Sequence, residues 1–393
     1  MKKSSSSSSK NKKKKVQIEI SSIAETDVID KQTICVETLT NGFVQSFVDF
    51  FYLTHRPSMS PEDEQLSSGI EETPCVEPQH MRLLQTKLMS AETAKRRAGQ
   101  VDVVYENYES LAKHFQEQND HKTAIYFFEK CLEVANMAVD APGEIRSNCS
   151  LGLAHEKKGD FKTAVEFHER HLELAETDAQ RSEADRNLIR AYVKHAEVLE
   201  KEGKFQESTR VHEKRLKCAE RLDEDVSLGD AHYRLGRALV KSGRPQEAID
   251  HIDAFMACLE TTRDLDGERC AYAALAEAYE ALDKTDAALS ALQQMLSCAK
   301  RSEHLESQAE ACFRLGKIYQ KRGLHDQAVE YLSQNYELIR VLVSKHAVPI
   351  TLLNRARVSL GMAKGSLAMH GYIKAAKTDV GSFLKWKNAR TEL

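Results

Sequence analysis

The stretch "LGLAHEKKGDFKTAVEFHERHLELA", from Leu151 to Ala175, contains the pattern that decides the fold. It opens with a Leu-Gly pair, has a glycine at position 159, and places the small residue Ala164 twelve positions after Gly152. Glycine tolerates the left-handed backbone conformation that commonly ends a helix. Small residues allow two helices to approach each other closely. The stretch therefore predicts a helix, a tight turn and a second helix.

The same pattern recurs along the chain at a nearly constant period. A leucine followed by a small residue stands at positions 111, 151, 235, 275 and 315, with a weaker version at 195, so that successive anchors lie 40, 44, 40, 40 and 40 residues apart. The turn positions hold Asn119, Gly159, Gly203, Gly243, Asp283 and Gly323. The second small positions hold Ala124, Ala164, Ser208, Ala248, Ala288 and Ala328.

This periodic pattern resembles the tetratricopeptide repeat, whose usual period is about 34 residues. Single hairpins of this kind cannot bury their apolar faces alone, so they stack on one another. The sequence predicts an all-α superhelical solenoid of about six long, 40-residue helix-turn-helix repeats with a degenerate C-terminal cap. The four extra residues between the second and third anchors predict one long helix or an extra turn there.

Composition narrows the class of protein further. Of the 393 residues, 30% are charged and only 7% aromatic, which favours a helical protein with a large surface. The net charge of -4 gives no basic field for nucleic acid, so no nucleic-acid partner is expected. No window approaches 18 uninterrupted apolar residues, so no membrane partner is expected. Nine cysteines without a CxxC pair indicate reduced thiols in a reducing compartment.

Shifts in composition divide the chain into five predicted segments. Residues 1–33 form a Ser/Lys-rich tail expected to be disordered. Residues 34–56 form an N-terminal amphipathic helix, rich in phenylalanine, that packs on the repeats or on a partner. Residues 57–80 are an acidic, proline-containing linker with six acids and no Lys or Arg. Residues 81–345 form the repeat array, and residues 346–393 form the helical cap.

The tetrapeptide His168-Glu169-Arg170-His171 is the most conspicuous candidate for chemistry. Two histidines three residues apart can face one metal ion, but transition-metal sites normally have at least three protein ligands. The sequence contains neither HExxH nor the glycine-rich and GxSxG motifs of phosphate-binding and serine-nucleophile enzymes. We therefore expect no enzyme activity, no metal site and no cofactor, and we expect His168 and His171 to occupy half-exposed repeat positions.

The inward face of the first helix of each repeat is the better candidate for a binding site. Basic side chains interleaved with aromatic ones on that face could hold an acidic peptide. The predicted protein-binding groove consists of Arg190, Tyr233, Arg237, Lys241, Phe313, Lys317 and Lys321. An equally simple interpretation is that these charges only solvate the helices.

Several stretches outside the generic repeat resemble the tetratricopeptide repeat protein 29 family. They are "ICVETLTNGFVQSFVDFFYL" (34–53), "SAETAKRRAGQ" (90–100), "RSEADRNLIRAYVKHAEVLEKEGKFQES" (181–208), "DEDVSLGDAHYRLGRAL" (223–239) and "FLKWKNAR" (383–390). The resemblance implies a non-enzymatic scaffold of the axoneme of motile cilia and sperm flagella. It also implies axonemal partners, such as components of the dynein arms or of axonemal transport, and a cytoskeletal location.

Two other classes of repeat protein stay open at this stage. The strings "FHERHL" and "VHEKRL" also resemble spindle-orientation adaptors, which bind helical peptides at the cell cortex, but the motifs that bind G-protein α subunits in those adaptors are missing here. Co-chaperones clamp a C-terminal carboxylate with lysine and asparagine. The paired groove asparagines are missing, so this class fits least well.

Overall fold

The computed structural model describes residues 31–54, 78–97, 100–262 and 264–389. Within these ranges the regular structure is entirely helical. The N-terminal helices are α1 (Lys31–Thr40), α2 (Val44–Thr54) and α3 (Pro78–Arg96). The repeat helices are α4 (Val101–Glu117), α5 (His121–Ala138), α6 (Ala141–Lys158), α7 (Phe161–Leu174), α8 (Asp178–Lys201), α9 (Phe205–Leu222), α10 (Asp225–Lys241), α11 (Pro245–Thr262), α12 (Leu265–Ala281), α13 (Thr285–Arg301), α14 (Leu305–Lys321) and α15 (His325–Ser344). The last helices are α16 (Ile350–Thr378) and α17 (Val380–Ala389).

The six predicted hairpins are confirmed as the pairs α4–α5 to α14–α15. Each predicted turn residue adopts a positive φ, between 56° and 86°, including the non-glycine residues Asn119 and Asp283. Asparagine and aspartate tolerate this conformation better than other side chains do. The extra residues of the third repeat lengthen α8 to 24 residues, whereas its counterpart α6 has 18.

The second small positions lie at the contact between the two helices of each hairpin. All six of them have no exposed surface. The first small residue of each Leu-small pair faces the residue sixteen positions later, on the second helix of the hairpin. A Cβ added to Gly152 would lie 2.4 Å from the His168 ring, and one added to Gly316 would lie 2.6 Å from Leu332. The Leu-small pairs therefore exist because a larger side chain would overlap the second helix of the same hairpin.

The described residues divide into two compact units, one ending at Ala191 and the other beginning at Tyr192, with the boundary inside α8. Each unit has its own buried residues. In the first unit, Tyr105, Phe127 and Leu151 belong to a core that also includes residues of α1, α2 and α3. In the second unit, an apolar cluster that includes Ile339 and Leu353 joins α14, α15 and α16.

The N-terminal segment differs from the single helix expected over residues 34–56. It forms two helices, α1 and α2, because Gly42 adopts a φ of 79° and the Phe43 N–H donates to the Thr38 carbonyl (3.0 Å), which closes α1. Residues 1–30 of the predicted tail, 55–56 of the predicted helix and 57–77 of the predicted linker lie outside the described residues. Residues 31–33 belong to α1, and residues 78–80 begin α3.

Polar contacts attach α2 to α3 and to the first repeat. The Ser46 backbone N–H and hydroxyl both donate to the Glu92 carboxylate of α3 (2.8 and 2.7 Å). The Tyr126 hydroxyl of α5 donates to the buried Asp49 carboxylate (2.8 Å). The aromatic segment therefore packs on its own chain. Across the described ranges, no helix is both long and apolar enough to cross a lipid bilayer.

Candidate functional site

The two histidines of the opening stretch are buried, so the expectation of half-exposed positions is wrong. His168 has no exposed surface and His171 is 1% exposed. His168 fits because Gly152, on the facing helix α6, has no side chain. The His168 Nε2 lies 2.8 Å from Glu156 Oε1, a hydrogen bond in which the ring nitrogen donates to the carboxylate.

The Glu156 carboxylate also forms an ion pair with an arginine of the next repeat. The Arg190 Nε donates to Glu156 Oε2 (2.7 Å) and its Nη2 donates to Oε1 (3.0 Å), a two-point contact that fixes the side chains relative to each other. Burial alone would raise the pKa of Glu156, but the hydrogen bonds from His168 and Arg190 outweigh burial and lower that pKa. The charge of Arg190 is thus neutralised within the chain, so Arg190 is not available as a cation for a ligand in the groove.

The third repeat contains an equivalent arrangement. The buried His212 places Nε2 at 3.8 Å from Glu200 Oε1, and the Lys241 ammonium forms an ion pair with the same carboxylate. The interaction with His212, together with the ion pair with Lys241, lowers the pKa of Glu200 to about 2. Lys241, a second residue of the predicted groove, is therefore also neutralised by a partner within the chain.

These histidine clusters do not assemble a metal site. Among the residues that the structure describes, no three His, Cys, Asp or Glu side chains come together in an arrangement that could hold a metal ion. Burial lowers the pKa of His171, which favours its neutral form. The cysteines spaced by 40 residues are packed among helices: Cys218 and Cys298 are buried and Cys258 is half-buried.

Two other predicted groove residues, Tyr233 and Arg237, form a pair on α10. The Arg237 guanidinium lies 5.6 Å from the centroid of the Tyr233 ring, and that ring packs on Phe255 with centroids 5.1 Å apart. Arg237 is exposed and forms no ion pair with any residue in the described ranges. It can therefore contact a partner, with Tyr233 as its support.

The remaining three predicted residues, Phe313, Lys317 and Lys321 on α14, lie together. They line one cavity of about 450 Å³ between α12 and α14. The Lys317 ammonium lies 5.8 Å from the centroid of the Phe313 ring. Within the described part of the chain, neither lysine forms an ion pair with a carboxylate. We call this the basic cavity.

A second cavity, of about 260 Å³, shares Phe313 with the basic cavity. Its walls are mainly apolar and come from α14, α15 and α16, including Ile339, Leu342 and Leu352. The Arg355 guanidinium lies 4.6 Å from the centroid of the Phe313 ring. We call this the apolar cavity. Sequence reasoning missed it because four of its eleven lining residues come from the segment interpreted only as a cap.

The first unit has its own cavity, of about 530 Å³, lined by residues of α4 to α8. Its charges largely neutralise each other: Arg146 Nε lies 2.9 Å from Glu109 Oε1 and Lys113 Nζ lies 3.7 Å from Glu109 Oε2. Lys157 lines it as well and forms no ion pair with the residues described. This cavity is larger than the other two but offers a partner fewer uncompensated charges.

Comparisons with known proteins agree with the repeat architecture. Two family models described as tetratricopeptide repeats match residues 104–177 and 309–339. A mouse (Mus musculus) protein named Tetratricopeptide repeat protein 29 is 30% identical over 133 residues, which are 33% of this chain and 28% of that protein. A protein of the same name from Trypanosoma brucei brucei is 26% identical over 124 residues, 32% of this chain and 24% of that protein.

These relatives confirm the resemblance to tetratricopeptide repeat protein 29 that the sequence motifs indicated. The match spans less than a third of the length of either relative. Among solved structures, a signal transduction ATPase with a tetratricopeptide repeat sensor from Pyrococcus horikoshii aligns with 92% of this chain and 55% of that chain, at 12% identity and a TM-score of 0.45. Tetratricopeptide repeats form extended binding surfaces, and the stacked helical hairpins of this chain have the architecture of such repeats.

Proposed function

We propose that this chain is a non-enzymatic scaffold of the ciliary or flagellar axoneme that supports dynein-driven motility. Its partners are axonemal proteins, such as dynein-arm or axonemal-transport components. Support comes from the resemblance of residues 34–53 and 383–390 to the tetratricopeptide repeat protein 29 family, and from the curated relatives of that name. The scaffold acts by docking a transport component or an inner-arm dynein rather than by chemistry.

The observation that carries the protein-binding part of the proposal is the basic cavity. It combines an aromatic ring, Phe313, with Lys317 and Lys321, whose charges have no carboxylate partner among the described residues. An aromatic side chain beside uncompensated cations suits an acidic segment of a partner protein, because the ring supplies contact area and the cations supply complementary charge. Arg237 adds a further exposed cation in the same unit.

Localisation and extraction test the axonemal part of the proposal. A tagged full-length chain expressed in ciliated cells should concentrate in the axoneme and stay there after mild detergent removes the membrane and the cytosol. A chain spread through the cytosol and released by the same detergent would contradict the proposal. Concentration at the mitotic cortex would favour the spindle-orientation adaptor instead.

A further inference from the structure

The two cavities that share Phe313 differ in charge. Of the described residues, Arg314, Lys317, Lys321 and Arg322 line the basic cavity against two carboxylates, Glu280 and Asp283. Arg314 is already paired with Glu280, at 3.1 Å, and Arg322 with Asp286, at 2.7 Å. Among the described side chains, the charges left unpaired in this cavity are therefore the two lysines, Lys317 and Lys321, and one carboxylate, Asp283, so the cavity keeps a net positive charge for a ligand.

The charged residues that line the apolar cavity are mainly acidic, in contrast to those of the basic cavity. Glu306 and Glu310 line it together with one cation, Arg355. A ligand carboxylate there would meet like charge, so this cavity suits an uncharged side chain. Its volume of about 260 Å³ accommodates one large apolar side chain, and its inner walls include Ile339 and Leu342.

A buried amide side chain forms part of the wall of the apolar cavity. Asn335 lines the cavity and is only 4% exposed. Its Nδ2 donates to the Ala309 carbonyl (2.7 Å), a hydrogen bond that joins α15 to α14 at the wall of the cavity.

The geometry points to one composite site for a defined type of partner segment, resting on the protein-binding role proposed above. We propose that the Phe313 site, made of the basic and apolar cavities, binds a segment in which an acidic residue stands next to a large apolar residue. The apolar side chain enters the apolar cavity. The carboxylate contacts Lys317 and Lys321. Phe313 lies between the two and separates them.

Peptide selection on the purified full-length chain tests this directly. The probe is a random peptide library displayed on phage, selected on the wild-type chain. Enriched peptides should carry Asp or Glu beside Trp, Phe or Leu. A representative labelled peptide should bind about tenfold more weakly when its acid is changed to the amide, and similarly when its apolar residue is changed to alanine.

Variants of the chain then assign each half of the peptide to a cavity. With the Lys317→Met chain, the acid-to-amide change in the peptide should no longer weaken binding, because the lysine charge that the peptide carboxylate contacts has been removed. Leu352→Gln should remove the effect of the apolar-to-alanine change, and Leu352 is 36% exposed, so its substitution should leave the fold intact. Neither variant should alter the effect assigned to the other, which a double-mutant cycle measures.

Matched controls come from the same helix as Leu352. Lys364→Met and Leu367→Gln change exposed side chains of α16 that line neither cavity, so both should bind the peptide as the wild type does. Selected peptides that lack an acidic residue beside a large apolar one would overturn the inference. Double-mutant cycles in which the effects of the chain variant and of the peptide change simply add would also overturn it. If the peptide experiments give the expected results but the chain is cytosolic in cells, only the axonemal proposal is contradicted.

Discussion

The second and third repeats fill the same buried position differently from the last three. Four residues after the second small position, repeats two and three place a histidine, His168 and His212. The last three repeats place Ile252, Leu292 and Leu332 there. All five side chains are essentially buried and face the first helix of their own hairpin. One position therefore accepts both polar and apolar side chains.

The difference depends on which side chain the first helix of the hairpin places beside this position. In repeats two and three, a glutamate twelve residues earlier, Glu156 or Glu200, lies beside the histidine. In the last repeat that place holds Gln320, and Leu332 fills the site with apolar contacts. Repeat five is intermediate, because Glu280 is present but pairs with Arg314 of the next repeat. In repeats two and three, the carboxylate therefore offsets the cost of burying the polar nitrogens of the ring.

The largest effect is expected when an apolar position is made polar without its carboxylate. Leu332→His should lower the free energy of unfolding by about 2–5 kcal/mol, since it loses apolar burial and offers the buried ring only the neutral amide of Gln320 in place of a carboxylate. Urea unfolding followed by circular dichroism measures this. Leu324→His, at a position 47% exposed, is the control and should change little. Equal losses in the two variants would contradict the comparison.

A smaller loss is expected from filling the space opposite a histidine. Gly152→Ala places a Cβ where the His168 ring lies, so it should cost about 1–3 kcal/mol of unfolding free energy. The double variant Gly152→Ala/His168→Ala should lose less than the sum of the two single changes, because the overlap is gone. Additive losses would show that the contact between Gly152 and His168 does not set the packing.

The reverse replacement should be nearly neutral. His168→Leu gives repeat two the arrangement of repeat five, and Arg190 still neutralises Glu156 as Arg314 neutralises Glu280. We expect a change in unfolding free energy within about 1 kcal/mol, because apolar replacements of buried polar contacts are often neutral. Urea unfolding of this variant beside Leu332→His measures the asymmetry. A loss as large as that of Leu332→His would refute it.

A separate effect, confined to acid pH, concerns Glu200. The pKa of Glu200 is about 2 in the folded chain against 4.5 for an ordinary glutamate. The unfolded chain therefore takes up this proton first, and the stabilisation by Glu200 is present above pH 4.5 and is lost as the pH falls from 4.5 towards 2. Glu200→Gln should flatten the pH dependence of the thermal unfolding midpoint in that window. Exposed Glu260→Gln is the control; identical slopes for both variants would exclude the contribution.

The hairpins, turns and close contacts were predictable because the pattern occurs six times. A single glycine such as Gly159 is weak evidence, but six turn residues at one register indicate a backbone requirement. The burial of His168 was not predicted, since a histidine taken alone is polar. Its signal was the pairing of Glu156 with His168 and of Glu200 with His212, twelve residues apart in both cases.

The candidate site was predicted only in part. Phe313, Lys317 and Lys321 do line one cavity, but Arg190 and Lys241 form ion pairs inside the chain. Whether a cation is open depends on the orientation of side chains from neighbouring helices, and helix register alone does not specify it. The apolar cavity depends on where α16 packs, for which the weak repeat after residue 349 gave no guide.

Affinity purification from isolated axonemes tests the central claim, that a scaffold protein binds its axonemal partner through the Phe313 site. Wild-type chain and Lys317→Glu/Lys321→Glu chain would be compared at low salt, where contacts between charges are least screened. The Lys364→Glu chain is the control for charge reversal on an exposed helix. We predict that the double variant loses a specific set of axonemal proteins that wild type and control both retain. Unchanged recovery of those proteins by the double variant would contradict the claim.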